Sequence, residues 1–319
     1  VKAAIVASGG GVPGLAWHAG VLSGLAGLVE WASFDGVSAG ALAAAIVGQD
    51  PATQIPYFRQ LAEGLRTKEG HRWRTGGEIV KAALGGWLGA APLASLGTHD
   101  RLGDRIRREI EGRSYAVPTW VGLTDIDTGE YLSVGPDVAD WWRAVWASAT
   151  IGPPLWPPVR WLGRRCVDGG YRSVAPLSDV IDRVTRGEQE PPDLLIVSST
   201  RPTREGPMPG AERQNEIRHD SLRSVALLTD TIHTDDLEGP QQINRLVRQA
   251  EAAGCVLRAE DGRPYRYVPI LEIRPDAPLA RDALDDSRQL TIAAAGEVAA
   301  SLVDRDDERD DRATWSRRR

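Results

Sequence analysis

The first 48 residues contain two glycine-punctuated turns, each placed where an apolar run gives way to a helix-forming run. Ala3 to Ala7 is a short apolar run that predicts a buried strand. Gly9-Gly-Gly-Val-Pro-Gly14 follows as a glycine-rich turn, and Leu15 to Leu28 carries apolar residues at helical spacing. Phe34 to Val37 predicts the end of a second strand. Gly36-Val-Ser-Ala-Gly40 is the second turn, and Ala39 to Val47 predicts a helix stopped by Gly48. Strand, loop, helix, strand, turn, helix in so short a span commits the chain to an α/β architecture.

The rest of the chain continues the alternation. Helices are expected over 51–72, 104–111 and 141–149, then over 217–232, 238–253 and 291–303. Strands are expected over 119–124, 130–134, 194–198 and 267–273. Ile151 to Pro158 holds four prolines, which exclude regular helix or central strand. No repeat is evident. One continuous domain over 1–303 is expected, with a cap or variable region rich in Gly, Ala, Leu and Trp near 70–100. A charged tail follows over 304–319.

Bulk properties narrow the class. A net charge of −6 gives nothing to favour a nucleic-acid partner, and none is expected. Two distant cysteines, Cys166 and Cys255, do not form a disulfide framework, so a reducing, cytoplasmic setting is expected. The opening apolar run is too short for a signal peptide and no spanning helix is evident. Any membrane contact is therefore expected to be peripheral.

Ser38 lies in a G-x-S-x-G match between a strand and a helix, the context a nucleophile elbow needs. Glycines relieve crowding at such a turn, and the serine oxygen stands at a helix N-terminus where N–H groups face outward. The turn could equally serve only to join strand to helix. Gly9 to Gly14 also fits the dinucleotide fingerprint G-x-G-x-x-G, with Glu30 at the spacing of a ribose-binding acid. Alternatively its N–H groups form an oxyanion hole, or the loop is a plain turn.

A nucleophilic serine needs a base. There are five histidines. His18 is expected to be a packed or surface helix residue. His71 and His99 lie in or beside the Trp/Gly-rich region, and His219 or His233 would complete a triad of ordinary chain order. Asp168, in Cys166-Val-Asp-Gly-Gly170, is the other candidate, since two following glycines suggest a shaped turn with close backbone approach. An ordinary surface turn fits those residues as well.

Gly9 to Leu22, Gly36 to Leu42, Thr124-Asp-Ile-Asp-Thr-Gly129, Ala144-Val-Trp-Ala-Ser-Ala-Thr150, the prolines at 153, 157 and 158, and Val167 to Gly170 together resemble the bacterial patatin-like phospholipases. The resemblance implies a three-layer α/β/α fold around a central, mostly parallel sheet. It implies a Ser38–Asp168 dyad, with Ser38 the nucleophile and Asp168 the general base. Gly10, Gly11 and Ala39 would supply the oxyanion hole. Gly9, Gly14, Gly36, Gly40, Gly169 and Gly170 would support the motifs, with no cofactor and no metal. The implied activity releases fatty acid from ester-linked lipids, and the implied partner is a lipid or other acyl-ester substrate. Hydrolysis of small esters or thioesters on the same scaffold, and a non-enzymatic nucleotide-binding or interaction protein, are the alternatives. Pro13 departs from the family, which often carries Arg or Lys inside this loop. Trp73 to Leu96 is expected to form an acyl pocket or cap, or to pack as core.

Overall fold

The computed structural model describes residues 1–65, 72–73, 97–153, 155–203, 217–258, 262–279 and 286–301. The elements are, in order, β1 (Lys2–Ala7), α1 (Gly11–Leu25), β2 (Glu30–Val37), α2 (Ala39–Val47), α3 (Pro51–Gly64), β3 (Arg72–Trp73) and β4 (Gly97–Thr98). They continue with α4 (Asp100–Ile110), β5 (Thr119–Asp125), β6 (Tyr131–Val134), α5 (Trp141–Ser148), β7 (Val159–Trp161) and β8 (Arg164–Asp168). A 3₁₀ turn (Gly169–Tyr171), α6 (Leu177–Arg186), β9 (Leu194–Ser198), α7 (Ile217–Ala252), β10 (Ile270–Ile273) and α8 (Gln289–Ser301) complete them. The proposed cap over 70–100 falls mostly, and the tail over 304–319 wholly, outside the described residues.

The main sheet hydrogen-bonds in the order β10-β9-β1-β2-β5-β8-β7, with β6 also on β5. The block from β10 to β5 is parallel, while β6 and β8 run antiparallel to β5 and β7 antiparallel to β8. β3 and β4 form a separate two-stranded ladder. Ala3 and Ile5 of β1 pack on one face with Phe34, Ile196 and the helices α1, α2, α3 and α8. The alternate residues Ala4 and Val6 pack on the other face with Leu195, Val197 and residues of α6 and α7. Side chains two apart share a face of a strand, so the sheet is buried on both sides between helices. This is the three-layer α/β/α fold with a mostly parallel sheet that the sequence implies.

The register of β5 positions the site. Gly122 pairs with Val37 of β2 and with Ser133 of β6. Leu123 pairs with Asp168 of β8 and with Leu132 of β6. A strand has two edges, so β6 takes one of them, and β2 and β8 share the other. These two strands approach along that edge from opposite directions, and their C-terminal ends meet opposite Gly122 and Leu123. Ser38 follows one end and Asp168 is the other.

Several element expectations change: β7, β8 and α6 are added, and the helix expected over 104–111 starts at Asp100. α1 starts at Gly11, so four of the six residues of the glycine-rich turn are helical. β2 starts at Glu30, earlier than its apolar residues suggest, because Ser33 and Asp35 are buried polar strand residues. Residues 217–252 form one helix through Gly239-Pro240 rather than two. Leu237 and Val247 on either side of the proline are both buried, and this packing holds the axis together.

The sheet face opposite α1 carries a buried ion pair. The Arg183 guanidinium of α6 bonds the Asp35 carboxylate, stacks 3.9 Å over the Trp120 ring, and donates to Ser133 at 3.2 Å. Ser33 adds a 3.1 Å bond to Asp35. Burial nevertheless raises the Asp35 carboxyl to about 6, with Arg183 opposing the rise. Removing one partner leaves the other charge buried and alone. Arg183→Met is expected to cost about 3–5 kcal/mol of stability above pH 7. The loss should shrink near pH 5, where the folded state can protonate Asp35. Denaturant melts at the two pH values check this, and the double variant D35N/R183M should recover much of the loss.

Candidate active site

Ser38 occupies the single residue between β2 and α2, with φ 59° and ψ −119°. A positive φ on a serine is strained, so the surroundings must hold it. The turn closes only because its glycines lack side chains. A Cβ on Gly40 would overlap the Ala7 carbonyl of β1, and one on Gly36 would overlap the Gly40 carbonyl. Ser148 of α5 supplies the clamp. Its hydroxyl accepts from the Ser38 N–H at 3.0 Å and donates to the Gly122 carbonyl at 2.6 Å. The elbow is thereby tied to β5 at the point where β2 and β8 meet.

Asp168 is only 7% exposed. Its N–H donates to the Thr150 carbonyl at 2.7 Å, and its Oδ1 accepts from the Gly170 N–H at 2.8 Å. Gly169 packs on the Gly122 carbonyl, where a Cβ would come within 2.5 Å. The Asp-Gly-Gly segment is thus a buried, close-packed turn rather than a surface one. The Ser38 side chain stands beside the Asp168 carboxylate and favours its charged form. Burial drives the Asp168 carboxyl up to about 6, while Ser38 and the Gly170 N–H pull the other way.

The glycine loop lies against the serine. A Cβ on Gly9 would be 3.5 Å from the Ser38 Cβ, and one on Gly14 would be 3.3 Å from the Ala39 Cβ. The Thr200 hydroxyl donates to the Gly9 carbonyl at 2.5 Å, and the Ser8 hydroxyl donates to it at 3.1 Å. A trans peptide points its N–H opposite its carbonyl, so the Gly10 N–H faces away from Thr200. Thr200 crowds the Gly10 Cα so closely that a Cβ would come within 2.5 Å of its methyl. Gly11, with φ 61°, starts α1 in a left-handed conformation. Ala39 is the first residue of α2. The N–H groups of Gly11 and Ala39 therefore lie in first turns that have no intrahelical acceptors. Pro13 sits buried in the first turn of α1, where a missing N–H costs no helical bond.

The histidines have other partners. His18 is fully buried, with Nε2 2.8 Å from the Ser8 carbonyl and Nδ1 2.7 Å from the Ser198 hydroxyl. Burial lowers its pKa to about 4. The neutral ring donates from Nε2 and accepts at Nδ1, bracing the strand end before the glycine loop. His99 accepts the Trp146 indole N–H at 2.7 Å and contacts the Pro157 carbonyl at 2.8 Å. It ties α5 to the proline-rich segment. His233 contacts Ser199 at 3.1 Å and Glu272 at 2.9 Å, both through Nε2. A relay needs the two ring nitrogens to have separate partners, and here one nitrogen faces both groups. The side chains of His71 and His219 lie outside the described residues. Glu30 is exposed and opens β2 beside Lys2, at the end of the sheet away from the glycine loop. The position at the C-terminal end of β2, where a ribose acid would stand, holds Ser38.

Ser38 forms part of the wall of an apolar pocket of about 860 Å³, solvent mouth included. Leu15, Leu42, Ile46, Phe58 and Ile106 bring α1 to α4 to its walls, and Ile151 and Trp156 come from the proline-rich segment. Arg105 and Glu109 are the charged lining residues, and Glu109 accepts from the Tyr57 hydroxyl at 2.9 Å. The pocket expected from Trp73 to Leu96 lies outside the described residues. Among the described residues, no cluster of His, Cys, Asp and Glu could hold a metal ion. No helix among them is long and apolar enough to cross a membrane.

A strained serine between a parallel strand and a helix, set beside a buried aspartate and a glycine loop, marks the candidate site of this α/β protein. The chain belongs to the patatin-like phospholipase family, whose sequence model matches residues 5–181. VipD from Legionella pneumophila, known from its crystal structure, is similar at 13% identity and TM-score 0.43. The likeness covers 95% of this chain and 66% of that one, just under two thirds of its length. It is too remote to bear on mechanism. No curated protein matches the chain.

Ser148, Ser8, His18 and Thr200 build the site, yet sequence reasoning assigned none of them a part in it. Of these, Ser148 and His18 lie in segments that carry the family resemblance. Ser148→Ala leaves the Ser38 N–H and the Gly122 carbonyl each short of a partner. It is expected to lower stability by about 1–3 kcal/mol and to lower kcat for an ester with KM little changed. Melting midpoints and steady-state kinetics check both.

Proposed function

We propose that the protein is a serine lipid acyl hydrolase working through a Ser38–Asp168 dyad. The observation that carries this reading is the strained Ser38 set beside the buried Asp168 carboxylate at the wall of an apolar pocket. Asp168 takes the hydroxyl proton as Ser38 Oγ attacks the ester carbonyl. The N–H groups of Gly10, Gly11 and Ala39 stabilise the oxyanion that forms. The intermediate collapses, the alcohol or lysolipid leaves with the proton from Asp168, and an acyl-serine remains. Water then gives a proton to Asp168 and attacks the acyl carbonyl, releasing the fatty acid and restoring Ser38. Gly36, Gly40 and Gly169 serve by letting backbone approach backbone, Gly9 and Gly14 by leaving room for the side chains of Ser38 and Ala39, and Gly170 by its N–H bond to Asp168.

Burial of Asp168 fits this role. A carboxylate raised to about 6 is a better proton acceptor than an ordinary one and remains ionised at neutral pH. Activity should rise with pH through about 6 and level off above it. The stability effect has the opposite sign. A folded-state pKa above the unfolded value of 3.8 favours the protonated fold. The associated stability is present below 3.8 and lost as pH rises through 6. Asp168→Asn should therefore abolish turnover yet melt higher than the native protein at pH 8, with the gap closing below pH 4. Ser38→Ala should also abolish turnover of a short acyl ester, and native-like turnover by S38A would rule the dyad out.

The pocket offers an apolar tail a desolvated site worth roughly 0.8 kcal/mol per buried methylene. Leu61→Trp, which narrows it, is expected to raise KM for long-chain esters and leave short-chain esters little affected. A chain-length series of p-nitrophenyl esters checks this. Equal effects at all lengths would favour the small-ester or thioester reading instead.

A further inference from the structure

We infer that Asp236 of α7 is a positioning residue for the hydrolytic site, locking the oxyanion loop to the Asp168 turn through one carboxylate. The inference rests on the dyad reading above. Asp236 lies beyond the family-matched segment of 5–181, on a helix that contributes no group to the reaction itself.

The carboxylate captures three donors from three successive residues. Its Oδ2 accepts the N–H groups of Val174 and Ala175 at 2.6 and 2.8 Å, and its Oδ1 accepts the Ser173 hydroxyl at 3.1 Å. Those residues follow directly on the Asp168-Gly-Gly turn, to which the Ser173 N–H is bonded through the Gly169 carbonyl at 3.0 Å. They also hold the glycine loop. The Val174 carbonyl accepts the Gly9 N–H at 3.1 Å, and the Val174 side chain lies 3.8 Å from where a Gly9 Cβ would be. Gly9 in turn lies against Ser38. Asp236 is therefore two hydrogen bonds from the loop that carries the oxyanion donors, and the same short segment continues from the base.

Segment 173–175 has no strand or helix of its own to fix it, and all three of its residues are buried. Without Asp236, two buried N–H groups lose their acceptor, and such groups seek replacements. The segment then shifts, and Gly9 shifts with it. Oxyanion donors act only when aimed at the developing charge, so a small displacement slows chemistry more than it weakens substrate binding.

The test compares D236A, D236E and D236N with the native protein, with D235A at the exposed neighbour as control. The readouts are kcat and KM for a short p-nitrophenyl ester, the labelling rate by a fluorophosphonate, the melting midpoint, and amide hydrogen exchange at Gly9. D236A is expected to lower kcat and labelling by about 10- to 100-fold, with KM within about twofold, and to lose protection at Gly9. D236E keeps the charge but cannot hold both N–H groups in place. It should fold and be slowed in the same way, which keeps the test decisive if D236A fails to fold. D236N can present its oxygen to the two N–H groups and its amide to the Ser173 oxygen, so it should recover most of the rate. D235A should behave as native. Native rates and Gly9 protection in D236E, a loss confined to KM, or a D236N as slow as D236A would each overturn the inference. A native protein that neither turns over ester nor labels would defeat the dyad reading instead. The Gly9 exchange in D236E would still decide whether Asp236 fixes the loop.

Discussion

The meeting of β2 and β8 on one edge of β5 is the constraint on which the site depends. A parallel strand and an antiparallel strand arrive from opposite ends and stop within one residue of each other, at Gly122 and Leu123. Two residues 130 positions apart in sequence are thereby brought side by side. Neither is carried on a long loop, and each is the terminal residue of a strand or the next one on. Gly122 is the pivot. Its carbonyl takes the Ser148 hydroxyl and faces Gly169, and Tyr131 fills the space where its side chain would be.

Strain and desolvation are concentrated at this point and offset around it. The left-handed backbone of Ser38 is held by Ser148 and by the contact of Gly40 with β1. The buried Asp168 carboxylate is partly satisfied by the Gly170 N–H. His18, kept neutral by burial, links the end of β1 to the end of β9, and Thr200 fixes the loop between them. The fold thus holds a raised-pKa carboxylate and a strained serine within a network of neutral hydrogen bonds. On the opposite sheet face, the Asp35–Arg183 pair braces the strand three residues before Ser38.

Much of this was legible in the sequence where local chemistry dictates structure. The glycines at 36 and 40 mark the elbow because only a residue without a side chain fits there. The two glycines after Asp168 mark a turn packed on backbone for the same reason. The alternation of apolar runs and helical spacing foretold the layered α/β fold. The structure departs where tertiary contacts override local signals. Ser33 hid the first half of β2 because its partner Gln189 lies 156 residues away. Gly239-Pro240 resembled a break, yet packing carries the helix across it. The clamps at Ser148 and Asp236 were invisible because an isolated serine or aspartate on a helix has no local signature. Only the sheet register shows what each one holds.

The central claim is that Ser38 is the nucleophile activated by Asp168. Labelling the native protein with a fluorophosphonate, digesting it and mapping the modified peptide tests this without assuming a substrate. The account predicts a single adduct on the Ser38 hydroxyl, formed faster as pH rises through about 6 and lost in D168N. An adduct on another serine, or labelling of Ser38 that is indifferent to the loss of Asp168, would contradict it.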